Sequence, residues 1–181
     1  MVDRVLATFL ARQRTEAVAL SAASDVVRVT PLGDPANRYV VEYSCHGLVE
    51  AAPGHIEESQ AFAVGIWFPD DYLRTVNPLR IVTWLAPSTI WHPNISAKTS
   101  TVCIGRVAPG TSLAELVDQV FEIITWQKVT MREDDALNYA ACQWARSHSS
   151  RFPVDTRPLR RQAPAMVVHE PCSGGSAHGE R

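Results

Sequence analysis

The sequence has no long apolar run and no excess of charge of either sign. Its 181 residues include 17 basic and 19 acidic side chains, for a net charge of −2. A chain without a basic excess has no electrostatic tendency to bind nucleic acid or an anionic membrane surface. No apolar segment approaches the roughly 18 residues that a membrane-spanning helix needs, and charges interrupt the apolar residues at the N-terminus. We therefore expect neither a membrane span nor a signal peptide.

Cysteine is scarce and irregularly spaced. The four cysteines are Cys45, Cys103, Cys142 and Cys172. They form no CxxC pair, which argues against a zinc site and against a disulfide framework. The sequence predicts no metal site, and a reduced, intracellular protein of the cytoplasm is the default expectation.

Lysine is scarcer still. Lys98 and Lys128 are the only two lysines, against fifteen arginines. Together with the many alanines, this bias is associated with GC-rich genomes and favours a bacterial source.

The composition changes near residue 149. Before it, the chain has the ordinary balance of a globular domain, and the whole sequence is 46% hydrophobic and 20% charged. After it, proline, glycine, serine and arginine dominate and periodicity is lost. Such a segment buries too little apolar surface to offset its chain entropy. We expect one folded domain over residues 1–148 and a flexible tail over 149–181.

Apolar periodicity predicts the first elements of the domain. Residues 2 to about 20 carry apolar side chains on one helical face. Four strand-like runs follow, and the third alternates as a half-buried strand does. The runs are Val26 to Val29, Tyr39 to Tyr43, Phe62 to Phe68 and Leu79 to Leu85.

Two helices are predicted after the strands. Apolar residues from Leu113 to Trp126 have helical spacing, and Ser112 with Glu115 has the sequence of a capping box. The second helix is expected to begin at Asp134 or Asp135. Consecutive strands followed by helices indicate an α+β domain, in which one face of an antiparallel sheet is covered. The expected architecture is an N-terminal helix, a four-stranded antiparallel sheet, a loop that carries the active site, and two or more helices.

The segment from Pro87 to Gly105, PSTIWHPNISAKTSTVCIG, has neither helical nor strand periodicity. Within it, His92-Pro93-Asn94 is a turn signal, because proline fixes φ and asparagine tolerates turn geometry. Cys103 follows nine residues after Asn94. A cysteine on a loop over a rigid sheet can be accessible, and its thiolate is a nucleophile.

These motifs resemble those of ubiquitin-conjugating enzymes of the catalytic-core type. The similarity covers about residues 1 to 147 and includes the order of the elements. The matching segments are Phe68-Pro-Asp-Asp-Tyr72, Leu79-Arg-Ile-Val-Thr-Trp84, His92-Pro-Asn94, Val102-Cys-Ile104 and the acidic stretch EDDALNYAA from Glu133 to Ala141.

The resemblance implies a chemistry for four residues. Cys103 would accept a ubiquitin-like modifier as a thioester from an activating enzyme, and would pass it to an amine of a target protein. Asn94 would stabilise the tetrahedral oxyanion of both steps, a contribution of roughly 3 kcal/mol for one such donor. Asp135, with Asp134 next in line, would orient the attacking amine and accept its proton.

The resemblance also implies structural and partner roles. His92 and Pro93 would form the turn that supports the site. Arg4, Arg12 and Arg14 of the N-terminal helix would bind the activating enzyme. No metal or organic cofactor is implied. The loop after the cysteine, IGRVAPGTS, is short and lacks the family's tryptophan, so a ubiquitin ligase stays an open partner. The gap from HPN to cysteine is about one residue longer than usual, which leaves the geometry of the oxyanion donor open.

Several alternatives stay open at this stage. Cys103 can be a buried structural thiol, because free cysteine is among the most buried residue types. Asn94 can serve only to form a turn, and either Asp134 or Asp135 can be a helix N-cap. An inactive family variant would act as a modifier-binding scaffold. A thiol hydrolase would pair Cys103 with His92.

Overall fold

The computed structural model describes residues 3–161, so residues 162–181 of the expected tail, with Cys172, lie outside the described residues. The elements in chain order are α1 Arg4–Ala23, β1 Val27–Leu32, β2 Arg38–Tyr43, β3 Gly47–Ala52, β4 His55–Ser59, β5 Phe62–Trp67, α2 Pro78–Ile81, β6 Val82–Ala86, β7 Ile95–Ser96, β8 Thr101–Val102, α3 Leu113–Ile124 and α4 Tyr139–Ser147, with 3₁₀ turns at Glu133–Asp135 and Ser149–Arg151. The order of helix, strands and helices confirms the predicted α+β class.

The main sheet has six strands in the order β1-β2-β5-β6-β8-β7, and every neighbouring pair is antiparallel. Its first four members correspond to the four predicted strands. The two-residue strands β7 and β8 extend the sheet beyond β6. They form the hairpin that runs from the HPN turn to the cysteine, so the site lies at one end of the main sheet.

Helices α1 and α3 pack beside the sheet and close the core. The side chain of Asp3 caps α1 by accepting a hydrogen bond from the Val5 N–H at 2.9 Å. The predicted capping box between Ser112 and Glu115 is present at the start of α3. Buried Gln13 links the two helices, since its Oε1 accepts from the Leu113 N–H at 2.7 Å. No helix within residues 3–161 is long and apolar enough to cross a membrane.

The hairpin β3–β4 was not predicted. It supplies Leu48 and Ile56 to a second, smaller core that also contains Trp91 and Trp126. Its strand β3 lies along the segment before the HPN turn: the Trp91 N–H donates to the Leu48 carbonyl at 2.9 Å, and the Glu50 N–H donates to the Thr89 carbonyl at 2.8 Å. The hairpin thus braces the loop that carries the candidate site.

The fourth predicted strand begins later than its apolar run indicates. Leu79 lies in the short helix α2, and the strand starts at Val82. The cause is local, because Asn77 caps the helix by accepting from the Leu79 N–H and Pro78 occupies the first helical position.

The last helix also begins later than predicted. Asp134 and Asp135 lie in a 3₁₀ turn, and Asn138 is the N-cap of α4. The expectation that either aspartate caps this helix is wrong. The N–H groups of Leu137 and Asn138 both donate to the carbonyl of Pro93, at 2.9 and 3.1 Å, so a contact with the distant HPN turn decides where the helix starts.

Residues 149–161 pack on the core, whereas the composition indicates a flexible tail from residue 149. Leu159 is buried in the main core. The carboxylate of Asp155 is buried and pairs with Arg157 at 2.6 Å. Gln127 donates to the Asp155 carbonyl at 2.9 Å. The burial of Leu159 and the hydrogen bond from Gln127, 28 residues away, supply the order that the local composition does not indicate.

Candidate active site

His92 is fully buried beneath the turn that it begins. Its Nδ1 accepts a hydrogen bond from the Asn94 N–H at 3.0 Å, and its carbonyl accepts from the Ile95 N–H at 3.2 Å. The ring also packs edge-on against Trp126, with 4.6 Å between centroids. Burial lowers the pKa of His92 to about 3, so the imidazole is neutral at physiological pH. These contacts fit a structural role in the turn.

Asn94 forms hydrogen bonds with both the N–H and the carbonyl of Cys103. Its Nδ2 donates to the Cys103 carbonyl at 3.2 Å, and its backbone carbonyl accepts from the Cys103 N–H at 2.8 Å. Its Oδ1 accepts from the Thr130 N–H at 2.9 Å. The side chain is only 7% exposed, so its orientation is fixed by these bonds. One of its two amide hydrogens is used by the Cys103 carbonyl.

Cys103 directly follows β8 and is partly exposed. Cys45 and Cys142 are both buried, and burial raises the pKa of Cys45 to about 12 and that of Cys142 above its usual value. A raised pKa leaves little thiolate at neutral pH. Of the three cysteines within residues 3–161, Cys103 alone has the access that a nucleophile needs.

Lys128 contacts the cysteine loop and was not singled out from the sequence. Its ammonium donates to the carbonyl of Ile104, the residue after Cys103, at 2.7 Å. The same side chain passes beside Gly105, whose φ of +88° is one that glycine adopts without strain. Lys128 lies 25 residues away along the chain, and no local signal connects it to the cysteine.

The acidic stretch lies exposed next to the turn. Arg132 pairs with both candidate carboxylates, at 2.7 Å from Asp134 and 3.2 Å from Asp135. The hydrogen bond from Arg132 holds the pKa of Asp134 below its usual value, which makes that carboxylate a weaker proton acceptor. Arg146 fixes the stretch from the other side by pairing with Glu133 at 2.7 Å.

A cleft lies between the hairpin β3–β4, the β7–β8 connection and the start of α4. Its lining includes Glu50, Ser96, Lys98, Asn138 and Tyr139. The cleft borders the HPN turn through Trp91 and Ile95, and neither Cys103 nor Asn94 lines it.

The three arginines predicted to bind a partner are all exposed on α1. Arg4 and Arg12 line a shallow apolar groove together with Phe9 and Leu73. Arg14 lies apart from that groove and pairs with Asp34 at 3.3 Å. The structure therefore brings two of the three arginines together.

No cluster of three or more histidine, cysteine, aspartate or glutamate side chains within residues 3–161 is placed to hold a metal ion.

Comparison with known proteins places this architecture in one fold. It is similar to a solved structure described as a novel ubiquitin-conjugating enzyme, with a TM-score of 0.54 and 13% sequence identity over 81% of this chain and 88% of that chain. A Toxoplasma gondii ubiquitin conjugating enzyme E2 domain is 19% identical over 79% of this chain and 90% of that chain, with a TM-score of 0.49. No protein-family model and no curated protein matches the sequence.

The fold is therefore that of a ubiquitin-conjugating-enzyme domain. The predicted fold class is confirmed in its helix, antiparallel sheet and later helices. At 13% identity the likeness is one of fold, so the activity has to be argued from the residues of this chain.

Proposed function

We propose that the chain is a ubiquitin-conjugating-type transferase with Cys103 as its nucleophile. The observation that carries this proposal is the pairing of an accessible cysteine with a buried, fully oriented asparagine. Cys103 is partly exposed, and Asn94 donates to its carbonyl at 3.2 Å. A structural thiol would gain nothing from this exposure, whereas a nucleophile requires it.

The first step transfers the modifier from an activating enzyme. The Cys103 thiolate attacks the carbonyl carbon of the modifier's thioester on the activating enzyme. A new sulfur–carbon bond forms through a tetrahedral oxyanion, the old one breaks, and the activating enzyme's cysteine leaves as a thiolate. Because one thioester replaces another of similar energy, Cys103 needs no strongly activating base.

The second step passes the modifier to an amine of a target protein. The neutral amine nitrogen attacks the thioester carbon, and its proton goes to a carboxylate, for which Asp135 is the leading candidate and Asp134 the next. The amide bond forms, the sulfur–carbon bond breaks, and Cys103 returns as a thiolate. In both steps Asn94 would stabilise the oxyanion with its amide.

The partners follow from these steps. They are a ubiquitin-like modifier, its activating enzyme and a target amine, with no nucleic acid, membrane or cofactor required by the chemistry. The exposed Arg4 and Arg12 beside Phe9 give α1 a mixed basic and apolar surface for the activating enzyme. Free thiols at Cys45, Cys103 and Cys142 fit a reducing compartment such as the bacterial cytoplasm.

The thiol-hydrolase alternative lacks its base. A cysteine hydrolase needs a histidine within hydrogen-bond reach of its sulfur. Nδ1 of His92 is used by the Asn94 N–H, and Nε2 has no hydrogen-bond partner within residues 3–161. Burial also lowers the pKa of His92 to about 3, so its imidazole is too weak a base to take the proton of a thiol. These observations favour the proposed role of His92 in the turn over a role in activating Cys103.

The test uses non-reducing gels after incubation with ATP, a ubiquitin-like protein and its activating enzyme. We expect wild type and Cys142→Ala to gain one modifier as a band that thiols remove, and Cys103→Ala to gain none. Charging of Cys103→Ala at the wild-type rate overturns the assignment. An uncharged wild type that still binds the modifier, in the presence of a charged activating enzyme, identifies a scaffold.

A further inference from the structure

Two successive carbonyls of the cysteine loop are held by side chains. The Cys103 carbonyl accepts from Asn94 at 3.2 Å, and the Ile104 carbonyl accepts from the Lys128 ammonium at 2.7 Å. The second bond is charge-assisted and therefore the stronger type. The backbone of Lys128 is itself anchored, because its N–H donates to the Glu122 carbonyl of α3 at 2.9 Å.

The charge of Lys128 is not neutralised locally. Its ammonium forms no salt bridge with any carboxylate within residues 3–161. It binds a neutral carbonyl one residue from Cys103, beside Gly105. A positive charge held on this loop favours negative charge that develops on a thiol or a tetrahedral oxyanion near it.

We propose that Lys128 is a positioning residue for the chemistry of Cys103. It fixes the loop from Cys103 to Gly105 through the Ile104 carbonyl and gives the loop a positive local field. This inference deepens the proposed transferase function and rests on it for its catalytic meaning. The field itself is a property of the folded chain and is measurable without any partner protein.

A structural role and an electrostatic role have to be separated, because residues 128–130 also hold Asn94. The Thr130 N–H donates to the Asn94 Oδ1 at 2.9 Å. A substitution that loosens residues 128–130 therefore disturbs Asn94 as well as the Ile104 carbonyl. Loosening changes the access of Cys103 to every reagent alike. A lost charge instead acts selectively on reagents that carry charge.

The experiment compares alkylation of Cys103 by iodoacetate, an anion, with alkylation by neutral iodoacetamide. Peptide mass spectrometry follows the adduct on Cys103 in the full chain. For Lys128→Met we expect the rate with iodoacetate, relative to the rate with iodoacetamide, to fall by about two- to fivefold, because the anion loses the attraction of one unit charge across water. Lys128→Arg, which keeps the charge, is expected to retain the wild-type ratio.

Lys98→Met is the matched control, since it removes the same charge from an exposed lysine with no side-chain hydrogen bond or ion pair among the described residues. We expect its ratio to equal that of wild type. An unchanged ratio in Lys128→Met overturns the proposal, even if both rates change together. An equal fall in Lys98→Met overturns it as well, because the effect would then be one of net charge.

A second measurement tests whether the positive charge of Lys128 also speeds the transfer of the modifier from Cys103 to an amine. For this measurement the chain is isolated with the modifier attached to Cys103 as a thioester. We expect Lys128→Met to lower the maximal rate of transfer to free lysine without changing the lysine concentration that gives half of that rate. Lys128→Arg is expected to restore the maximal rate. Equal maximal rates for Lys128→Met and wild type contradict the catalytic meaning. If wild type never charges, the transferase proposal fails, while the alkylation ratio still decides the role of Lys128.

Discussion

Asn94 and Cys103 hold each other through a reciprocal pair of hydrogen bonds. The Cys103 N–H donates to the Asn94 carbonyl at 2.8 Å, and the Asn94 side chain donates back to the Cys103 carbonyl at 3.2 Å. Nine residues separate them in sequence, and the intervening hairpin β7–β8 closes the loop. The proposed nucleophile and the proposed oxyanion donor are therefore joined by two hydrogen bonds within one loop.

Two substitutions of Asn94 separate its proposed role as oxyanion donor from its hydrogen bonds in the folded loop. Asn94→Asp keeps an oxygen for the Thr130 N–H but loses the amide donor, whereas Asn94→Ala loses both. We expect both variants to slow thioester discharge by about 10²-fold. Asn94→Ala should also lower the free energy of unfolding by about 1–3 kcal/mol, because the partly buried Thr130 N–H and Cys103 carbonyl lose a partner. Single-turnover discharge and urea unfolding measure the two effects. Discharge at the wild-type rate in Asn94→Asp would limit Asn94 to a structural role.

Buried His92 makes the fold sensitive to mild acid. The pKa of His92 is about 3 in the folded chain, against its usual ~6.5 when unfolded. Between these values the unfolded state binds a proton that the folded state does not. The stabilisation is complete above pH 6.5, and the free energy of unfolding falls below it by about 1.4 kcal/mol per pH unit.

Urea unfolding at pH 7, 5.5 and 4.5 measures this slope. We expect His92→Asn, which keeps an acceptor for the Asn94 N–H, to be less stable at pH 7 but to lose less stability on acidification. His55→Asn is the matched control, because His55 is exposed. If wild type and His92→Asn have the same slope, His92 is not the group that titrates.

The two neighbouring aspartates provide a matched pair of variants. Asp135→Asn is expected to slow discharge to an amine by about 10²-fold, because the amine loses its proton acceptor. Asp134→Asn should change it little, since the hydrogen bond from Arg132 already makes Asp134 a weaker base. Charging should be unaffected in both. The opposite order of effects would assign the proton acceptor to Asp134.

The ion pair between buried Asp155 and exposed Arg157 tests whether residues 149–161 belong to the domain. The hydrogen bond from Arg157 lowers the pKa of Asp155 to about 2, so its stabilisation is present above pH 4 and is lost as the pH falls toward 2. We expect Asp155→Asn to lower the free energy of unfolding at pH 7 by about 1–3 kcal/mol. The control, Asp25→Asn, removes an exposed carboxylate that pairs with Arg161 at 3.4 Å and should cost about 0–1 kcal/mol. Equal effects would show that the segment adds no specific stability.

Strong local signals predicted most of the fold. The apolar faces of α1 and α3 and the capping box of Ser112 and Glu115 are properties of short segments, as is the alternation of β5. The hairpin β3–β4 was missed because the sequences of its strands, GLVEAA and HIEES, do not alternate between apolar and polar residues, although Pro53-Gly54 marks the turn between them.

Tertiary contacts decided the features that the sequence could not predict. Several residues before α4 can cap a helix, and the hydrogen bonds to the Pro93 carbonyl select Asn138. The turn of His92, Pro93 and Asn94 was identified from its composition alone. Lys128 was missed because only the fold brings it to Ile104, a contact that spans 24 positions of the chain.

The most direct test of the central claim is the intact mass of the chain after incubation with ATP, a charged activating enzyme and its ubiquitin-like protein. We expect a gain of one modifier that dithiothreitol removes, and for Cys103→Ser an adduct that resists dithiothreitol because an ester replaces the thioester. No gain in wild type, or the same thiol-sensitive gain in Cys103→Ala, would contradict the claim that Cys103 carries the modifier.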